Sequence, residues 1–356
     1  MKNDICMIIP YFGKFPQWID LFIQSCRENP EIDFLFFTDD EEMAECRGEN
    51  INVVDMSFGE MQKLIHDKLG GVLPLPYKLC DYRPCYGHVF AEYLKDYTYW
   101  GHCDVDIILG RIMWFLKKIE YSKYDRVFQW GHFSLYRNDR STNNLYRMKV
   151  NNAPLMANFD FVRKTAMPCT FDEIGMLVIS NYARIAFYRE NVAFDASFVM
   201  DSFAPARVFD YGRYVVQKSK KAIYGWRLLN GKKFQKEYMY VHFQKRKLQK
   251  MDDFSNDDYI ICHSGFWKSP DRMTSESMMR FVPDEPRLLD KPIGFEIKSP
   301  VSKVIDIVKR DWPVRRLMVV HSIWAMFVSN RWKARNLAKL WKEVNPNDGW
   351  EPIDSI

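Results

Sequence analysis

Followed for its apolar and polar positions, the chain opens on a run with no polar side, Ile5-Cys6-Met7-Ile8-Ile9-Pro10. Such a run, closed by proline, predicts a strand buried on both faces, as in a parallel sheet. Phe15 to Arg27 then shows helical spacing, with Trp18, Leu21, Phe22 and Ser25 on one face. Asp33 to Phe37 is a second buried strand, ending in the polar Thr38-Asp39-Asp40, and Ile51 to Val54 is a third. Ser57 to Leu69 predicts a helix that stops at Gly70-Gly71. Pro84 suits the first turn of another helix, running through Tyr86, Phe90 and Leu94. Tyr97 to Gly110 reads as a buried strand running into Asp104-Val105-Asp106. A helix over Arg111 to Ile119 and strands over Arg126 to Trp130 and Tyr238 to His242 complete the pattern. Alternating strands and helices predict an α/β fold with a mixed, mostly parallel central sheet flanked by helices.

The stretch from Tyr97 to Gly110 raises the question of chemistry. Aspartates at i and i+2 in an apolar setting repel each other unless something pairs them. Mg²⁺ and Mn²⁺ prefer oxygen ligands, and Mg²⁺ is often shared between carboxylates and substrate phosphates. Asp104 and Asp106 are therefore candidate ligands for Mn²⁺ or Mg²⁺ and a nucleotide diphosphate, although Asp-x-Asp is also common in surface loops. Lys78, Asp81 and Arg83 precede the expected Pro84 helix. They fit either a capped helix start or a helix that aims Lys78 or Arg83 at phosphate or sugar. Gly131-His132 is placed to close the substrate pocket, and the polar stretch Asn138 to Asn152 is expected to lie over the site. Asp160, Asp172, Glu173 and Asp195 are further acids near aromatic residues. Asp172 reads as a helix cap; Asp160 and Glu173 remain candidates for an acceptor hydroxyl, and Asp195 is the weakest. A late strand delivers His242 into Lys245, Arg246 and Lys247, and His263 competes with it as a metal ligand.

Composition narrows the classes. The 356 residues carry a net charge of +5, which suits anionic ligands or membrane surfaces without demanding nucleic acid. The 26 Phe, 19 Tyr and 11 Trp fit a dense core or flat surfaces for sugars and bases. Eight cysteines without a C-x-x-C pair give no support for zinc or thioredoxin-like chemistry and are expected in a reducing cytosol. No G-x-G-x-x-G follows the first strand and no P-loop occurs. Met1 leads straight into a strand with no signal-peptide pattern, and no apolar run reaches the ~20 residues of a membrane span.

Beyond residue 300 the charge becomes strongly basic, around the aromatic, apolar run Leu317 to Val328. That pattern suits an amphipathic helix on an anionic membrane surface, with a helix that closes the core as the alternative. Two units are expected: a domain over 1–299 and a basic helical extension over 300–356.

The order Pro10-Tyr11-Phe12, Thr38-Asp39-Asp40, Lys78 to Asp81, Asp104-Val105-Asp106 and His242 with its basic neighbours resembles the nucleotide-sugar glycosyltransferases of GT-A fold. Tyr77 to Pro84 with Trp100 to Asp106 looks like bacterial enzymes of capsule, O-antigen or exopolysaccharide assembly. The resemblance covers about residues 1–265. It implies a GT-A-like, Rossmann-related fold and transfer of a sugar from a nucleotide, UDP above all, to a glycan or lipid-linked acceptor. It places Pro10, Tyr11 and Phe12 near the base and Thr38 and Asp39 near the base or ribose. Asp104, Asp106 and His242 would hold the metal, and Lys78, Asp81, Arg83 and Lys245 would lie by the donor. Gln244 and Lys245 stand where the family's H-x-x-G-x-x-K pattern has other spacing. Such an enzyme would work in the cytoplasm, peripheral on the inner face of the plasma membrane. The rivals are a non-catalytic membrane-surface protein on a degenerate transferase fold and a metal-dependent phosphohydrolase.

Overall fold

The all-apolar first run forms β1 (Ile5–Pro10), and its side chains alternate between two cores. Ile5, Met7 and Ile9 pack with Phe22 and Ile23 of α1 (Ile19–Arg27), whereas Cys6 and Ile8 pack with Met61 and Ile65 of α2 (Phe58–Leu69). A strand with helices on both faces needs no polar side, which is why its sequence shows none. The computed structural model describes residues 3–151, 153–197, 201–205, 213–244, 246–251, 254, 256–283 and 351–353.

The central sheet is α/β, mixed and mostly parallel. It contains β1, β2 (Ile32–Thr38), β3 (Ile51–Asp55), β4 (Tyr99–Cys103), β6 (Arg126–Trp130), β7 (Phe133–Arg137) and β8 (Phe187–Tyr188) in the order β3-β2-β1-β4-β7-β6-β8. β3, β2, β1 and β4 are parallel, so their carboxyl ends share one edge. β7 runs antiparallel to β4 and β6. A second sheet, of three strands, joins β5 (Ile107–Leu109), β13 (Tyr240–His242) and β9 (Ala193–Asp195). A third adds β10 (Arg213–Ser219), β11 (Ala222–Leu229), β12 (Lys232–Tyr238), β14 (Asp258–Cys262), β15 (Gly265–Lys268) and β16 (Glu351–Ile353).

Local chemistry sets the boundaries. α1 begins four residues later than the apolar spacing predicts. Pro16 disfavours helix at Phe15, and the Phe15 N–H is taken by the Asp40 carboxylate at 3.3 Å. α2 starts at a full capping box between Ser57 and Glu60 and ends on Gly70 in the left-handed region, φ 60°. The helix expected from Pro84 is mostly a 3₁₀ helix, Pro76–Cys85, followed by one α turn, Tyr86–Val89, and a second 3₁₀ turn, Ala91–Tyr93. Proline opens it, but at Pro76. Tyr97 to Gly110 is two strands in different sheets, with Asp104-Val105-Asp106 as the corner between β4 and β5. The helix after Gly110 is Ile112–Lys118. The buried Phe128 has φ 67°, and the pairing of β6 with β7 shifts between Val127 and Trp130. This bulge re-aims the Gly131-His132 turn.

The stretch expected over the site, Asn138 to Asn152, is instead anchored at the far end of β4 through Asn138 and Asn143. Asn138 donates to the carbonyls of Leu94 and Tyr97 at 2.8 Å each, at the amino end of β4, and Asn143 accepts from the Trp100 indole at 2.7 Å. Asp104 lies at the other end of that strand. The basic extension over 300–345 lies outside the described residues. Among the described residues no helix is long and apolar enough to cross a membrane.

Candidate metal and substrate site

Parallel pairing places the ends of β1, β2 and β4 together, where α/β sheets bind ligands. Asp104 follows β4, and its N–H donates to the His132 carbonyl at 3.1 Å. Asp106 precedes β5, whose antiparallel partner β13 brings His242 opposite Ile107. The parallel partner of β13, β9, sets Asp195 in register with the same histidine. The three-stranded sheet thus assembles Asp106, His242 and Asp195 from chain positions far apart.

The geometry is that of a ligand set. His242 Nε2 lies 3.4 Å from Asp106 Oδ1 and 3.9 Å from Asp104 Oδ2. One donor atom from each of the three residues falls within 4.8 Å of the others. The other ring nitrogen, Nδ1, is 2.8 Å from Asp195 Oδ1, which also accepts from Gln244 Nε2 at 2.6 Å. A carboxylate behind an imidazole fixes the ring's orientation and raises its basicity. Burial alone would lower the His242 pKa; the charge and hydrogen bond of Asp106, with the bond to Asp195, outweigh it and raise it well above the usual value. Burial pushes the Asp195 carboxyl up, but the His242 bond and nearby imidazoles prevail and lower it. The His132 ring lies 4.3 Å from the His242 ring, tilted by 30°, and its Nδ1 meets the Tyr240 hydroxyl at 2.7 Å. Burial, and then His242, push its pKa down to about 3. His132, Asp195 and His242 form a second close group of potential donors.

Arg83 ties the carboxylates together from the other side. It donates to Asp104, to Asp172 at 3.1 Å and to the Gly131 carbonyl at 2.9 Å. Burial opposes its charge, and Asp104 and Asp172 overcome that to raise its pKa well above the usual value. Gly131 is the close-packed point: its N–H donates to Glu173 Oε1 at 3.2 Å, and a Cβ there would stand 2.6 Å from Asp172 Oδ2. Burial raises Asp172 well above the usual carboxylate range, and Arg83 pulls against it. Glu173 is also raised by burial, against its bond from Gly131.

On the Asp106 side, Pro10 ends β1, and the Tyr11 ring stacks on Phe15 at 4.2 Å. Burial, then Asp106 and Asp40, raise the Tyr11 phenol. Asp39 is exposed and accepts the Gly13 N–H at 2.7 Å. Trp18 Nε1 donates to the Val105 carbonyl at 3.3 Å.

Several expected contacts are spent elsewhere. Lys78 and Asp81 form a buried pair at 2.7 Å, with side chains 1% and 0% exposed. The Lys78 ammonium also donates to the carbonyls of Val162 and Met167, so its three protons have partners within the fold and none is left for phosphate. Asp81 accepts the N–H groups of Cys169 and Phe171. Phe12 is core, 5.4 Å from the Phe58 ring, so it does not face a base. Thr38 is buried, and its hydroxyl accepts the Asp40 N–H at 3.1 Å. Asp160 lies on the surface, paired with Arg163 and Lys149 and outside the carboxylate group. Asp172 is no helix cap: Thr170 precedes a π-helical turn, and the Asp172 carboxylate goes to Arg83. Arg246 points inward to the carbonyls of Phe243, Ser197 and Ser202. His263 meets the Phe281 carbonyl at 3.2 Å, away from Asp104 and Asp106. Lys245 lies outside the described residues.

Sequence reasoning ranked Asp195 last and read Asp172 as a cap. The run Ala193-Phe194-Asp195-Ala196 carries no local sign that its acid will pair with a histidine about fifty residues on.

No curated protein is similar enough to count as a match. Among solved structures, a galactosyltransferase, LgtC, in complex with donor and acceptor sugar analogues, superposes with TM-score 0.34 at 12% identity, over 54% of this chain and 75% of that one. Mouse xyloside xylosyltransferase 1, in its apo form, gives TM-score 0.31 at 8% identity, over 54% of this chain and 87% of that one. Residues 7–270 match DUF6625, a family of unknown function, and the chain belongs to that family.

Proposed function

We propose that the protein is a metal-dependent glycosyltransferase of GT-A type. It moves a sugar from a nucleotide donor, a UDP-sugar, to a hydroxyl of a glycan or lipid-linked glycan in cell-surface polysaccharide synthesis. The observation that carries this reading is the convergence of Asp104, Asp106 and His242 at the carboxyl edge of the parallel strands. Two carboxylates and an imidazole suit Mn²⁺, and Mg²⁺ less well because of the nitrogen donor. A divalent cation held there offsets the charge that builds on a departing nucleoside diphosphate.

The chain's own residues divide the remaining work. Asp195 and Gln244 hold the His242 ring with Nε2 toward the aspartates. Arg83 holds Asp104 and supplies fixed positive charge between Asp104 and Asp172. Tyr11 and Asp39, at the ends of β1 and β2, flank the Asp106 side and suit the nucleoside. Glu173, which accepts the Gly131 N–H at 3.2 Å and is raised by burial, is the carboxylate we assign to take a proton from an acceptor hydroxyl. The reading extends to attachment of residues 300–345 to an anionic membrane surface, and so to a peripheral, cytoplasmic location. That part rests on the sequence pattern alone.

The test replaces Asp104 and Asp106 by Asn, singly, and measures Mn²⁺-dependent hydrolysis and transfer from a panel of UDP-sugars. Each variant is expected to lose roughly 100-fold or more in rate. Rates equal to wild type would overturn the reading. So would phosphate release from simple esters with no sugar turnover, the outcome a phosphohydrolase gives.

A further inference from the structure

The ten-residue 3₁₀ helix Pro76–Cys85 winds with three residues per turn, so residues three apart eclipse one another. Its burial follows that period. The lines of side chains that start at Lys78 and at Leu79 are buried throughout, and after Pro76 only Tyr77, Cys80 and Arg83 meet solvent. This open line leads directly to the candidate site, because its inner end, Arg83, is bonded to Asp104 and Asp172. Six residues earlier, roughly 12 Å along the axis at ~2 Å rise per residue, stands Tyr77.

Tyr77 is 63% exposed, unusual for so large a ring in this chain. Its hydroxyl end nonetheless lies in the field of the site. Desolvation first, then Cys80, Asp104 and Asp172, raise the phenol pKa, and Arg83 opposes them. Tyr11, in contrast, responds to Asp106 and Asp40. Tyr11 follows the end of β1; Tyr77 stands on the helix that carries Arg83.

An exposed aromatic face at the rim of a carboxylate-lined site matches the two-sided chemistry of a pyranose. The ring covers the sugar's C–H face, and charged neighbours take its hydroxyls. We propose that Tyr77 is the platform on which the acceptor sugar rests, with the sugar's hydroxyls toward the Arg83 end of the line. This assignment builds on the glycosyltransferase reading of the site. It places the acceptor along the line of side chains that ends at Arg83, which holds Asp104.

The experiment uses the full chain as wild type, Tyr77→Ala and Tyr77→Phe, with Mn²⁺ and UDP present. Saturation-transfer NMR is recorded with methyl glycosides of glucose, galactose and N-acetylglucosamine, and UDP affinity is measured on the same proteins by calorimetry. At least one glycoside is expected to show saturated ring protons with wild type. The signal should fall about fivefold or more in Tyr77→Ala and persist in Tyr77→Phe, with UDP affinity unchanged within about twofold. An undiminished signal in Tyr77→Ala, or no signal with wild type, overturns the assignment. A parallel loss of UDP affinity overturns it too, by making Tyr77 a nucleotide contact. Failure of the donor reading shows separately, as wild type that binds no UDP, and the glycoside signals still judge Tyr77.

Discussion

Changing Asp81 to Asn removes one charge from a pair that has no route to water. Lys78 and Asp81 are 2.7 Å apart and essentially unexposed. Between them they also bond the Val162 and Met167 carbonyls, at 3.1 and 2.8 Å, and the Cys169 and Phe171 N–H groups, at 2.7 and 2.9 Å. They therefore lock the 3₁₀ helix that carries Arg83 to the segment that delivers Asp172. The neutral amide in Asp81→Asn would leave the Lys78 ammonium buried without a counter-charge. Breaking a buried pair from one side costs about 3–5 kcal/mol, and at ~2–3 °C per kcal/mol for a large domain the melting temperature should fall by roughly 6–15 °C. A Lys78→Met/Asp81→Leu double variant should not recover the loss. The Cys169 and Phe171 N–H groups would then lose their acceptor, at ~1–3 kcal/mol each, whereas the Val162 carbonyl keeps the Thr165 N–H at 3.2 Å and the Met167 carbonyl keeps the Cys169 thiol at 3.3 Å. Circular dichroism melts and urea titrations measure both. A loss under about 1 kcal/mol for Asp81→Asn, or a double variant as stable as wild type, would refute the structural role. Lowered nucleotide affinity with unchanged stability in Lys78→Met would return Lys78 to the phosphate site.

Two further outcomes follow from the site and its surroundings. Asp195→Asn weakens the support behind His242, so Mn²⁺ affinity measured by electron paramagnetic resonance should drop about 10- to 100-fold; a change under about twofold would show that Asp195 does not act through the histidine. Asp139 caps the helix Arg140–Asn143 by accepting the Thr142 N–H at 2.8 Å. Burial raises its pKa, but the bonds from Thr142 and Ser141 outweigh that and lower it. A depressed carboxyl contributes stability above its unfolded pKa and loses it as pH falls through the folded value. Asp139→Ala should thus cost about 1 kcal/mol at neutral pH, with the melting curves converging in acid, and a gap that ignores pH would contradict the capping account.

The sequence was most legible where one local signal decided the structure. β1 has no polar side because helices cover both faces, and the capping box at Ser57 and the left-handed Gly70 bound α2 as their residue types predict. Legibility fell where partners lie far apart in the chain. Asp104 and Asp106 were visible as a pair, but the corner between β4 and β5 was not, because the residues on both sides are equally apolar. His242 was singled out for its basic neighbours, yet what aims it is Asp195 on a paired strand. Lys78 and Asp81 look like solvated charges at a helix start; only the packing of residues 162–171 over them makes them a buried pair. β12, Lys232-Lys233-Phe234-Gln235-Lys236-Glu237-Tyr238, is half-buried and charged, so no apolar run announces that strand of the third sheet.

The central claim is that Asp104, Asp106 and His242 hold a divalent cation that in turn holds a nucleoside diphosphate. Calorimetric titration of UDP into the protein, with Mn²⁺ and again with EDTA, tests it most directly when wild type is compared with Asp106→Asn. The account predicts binding with Mn²⁺, none with EDTA, and about 100-fold weaker binding in the variant, a difference of ~2.7 kcal/mol. Equal UDP affinity with and without metal, or wild-type affinity in Asp106→Asn, would contradict it.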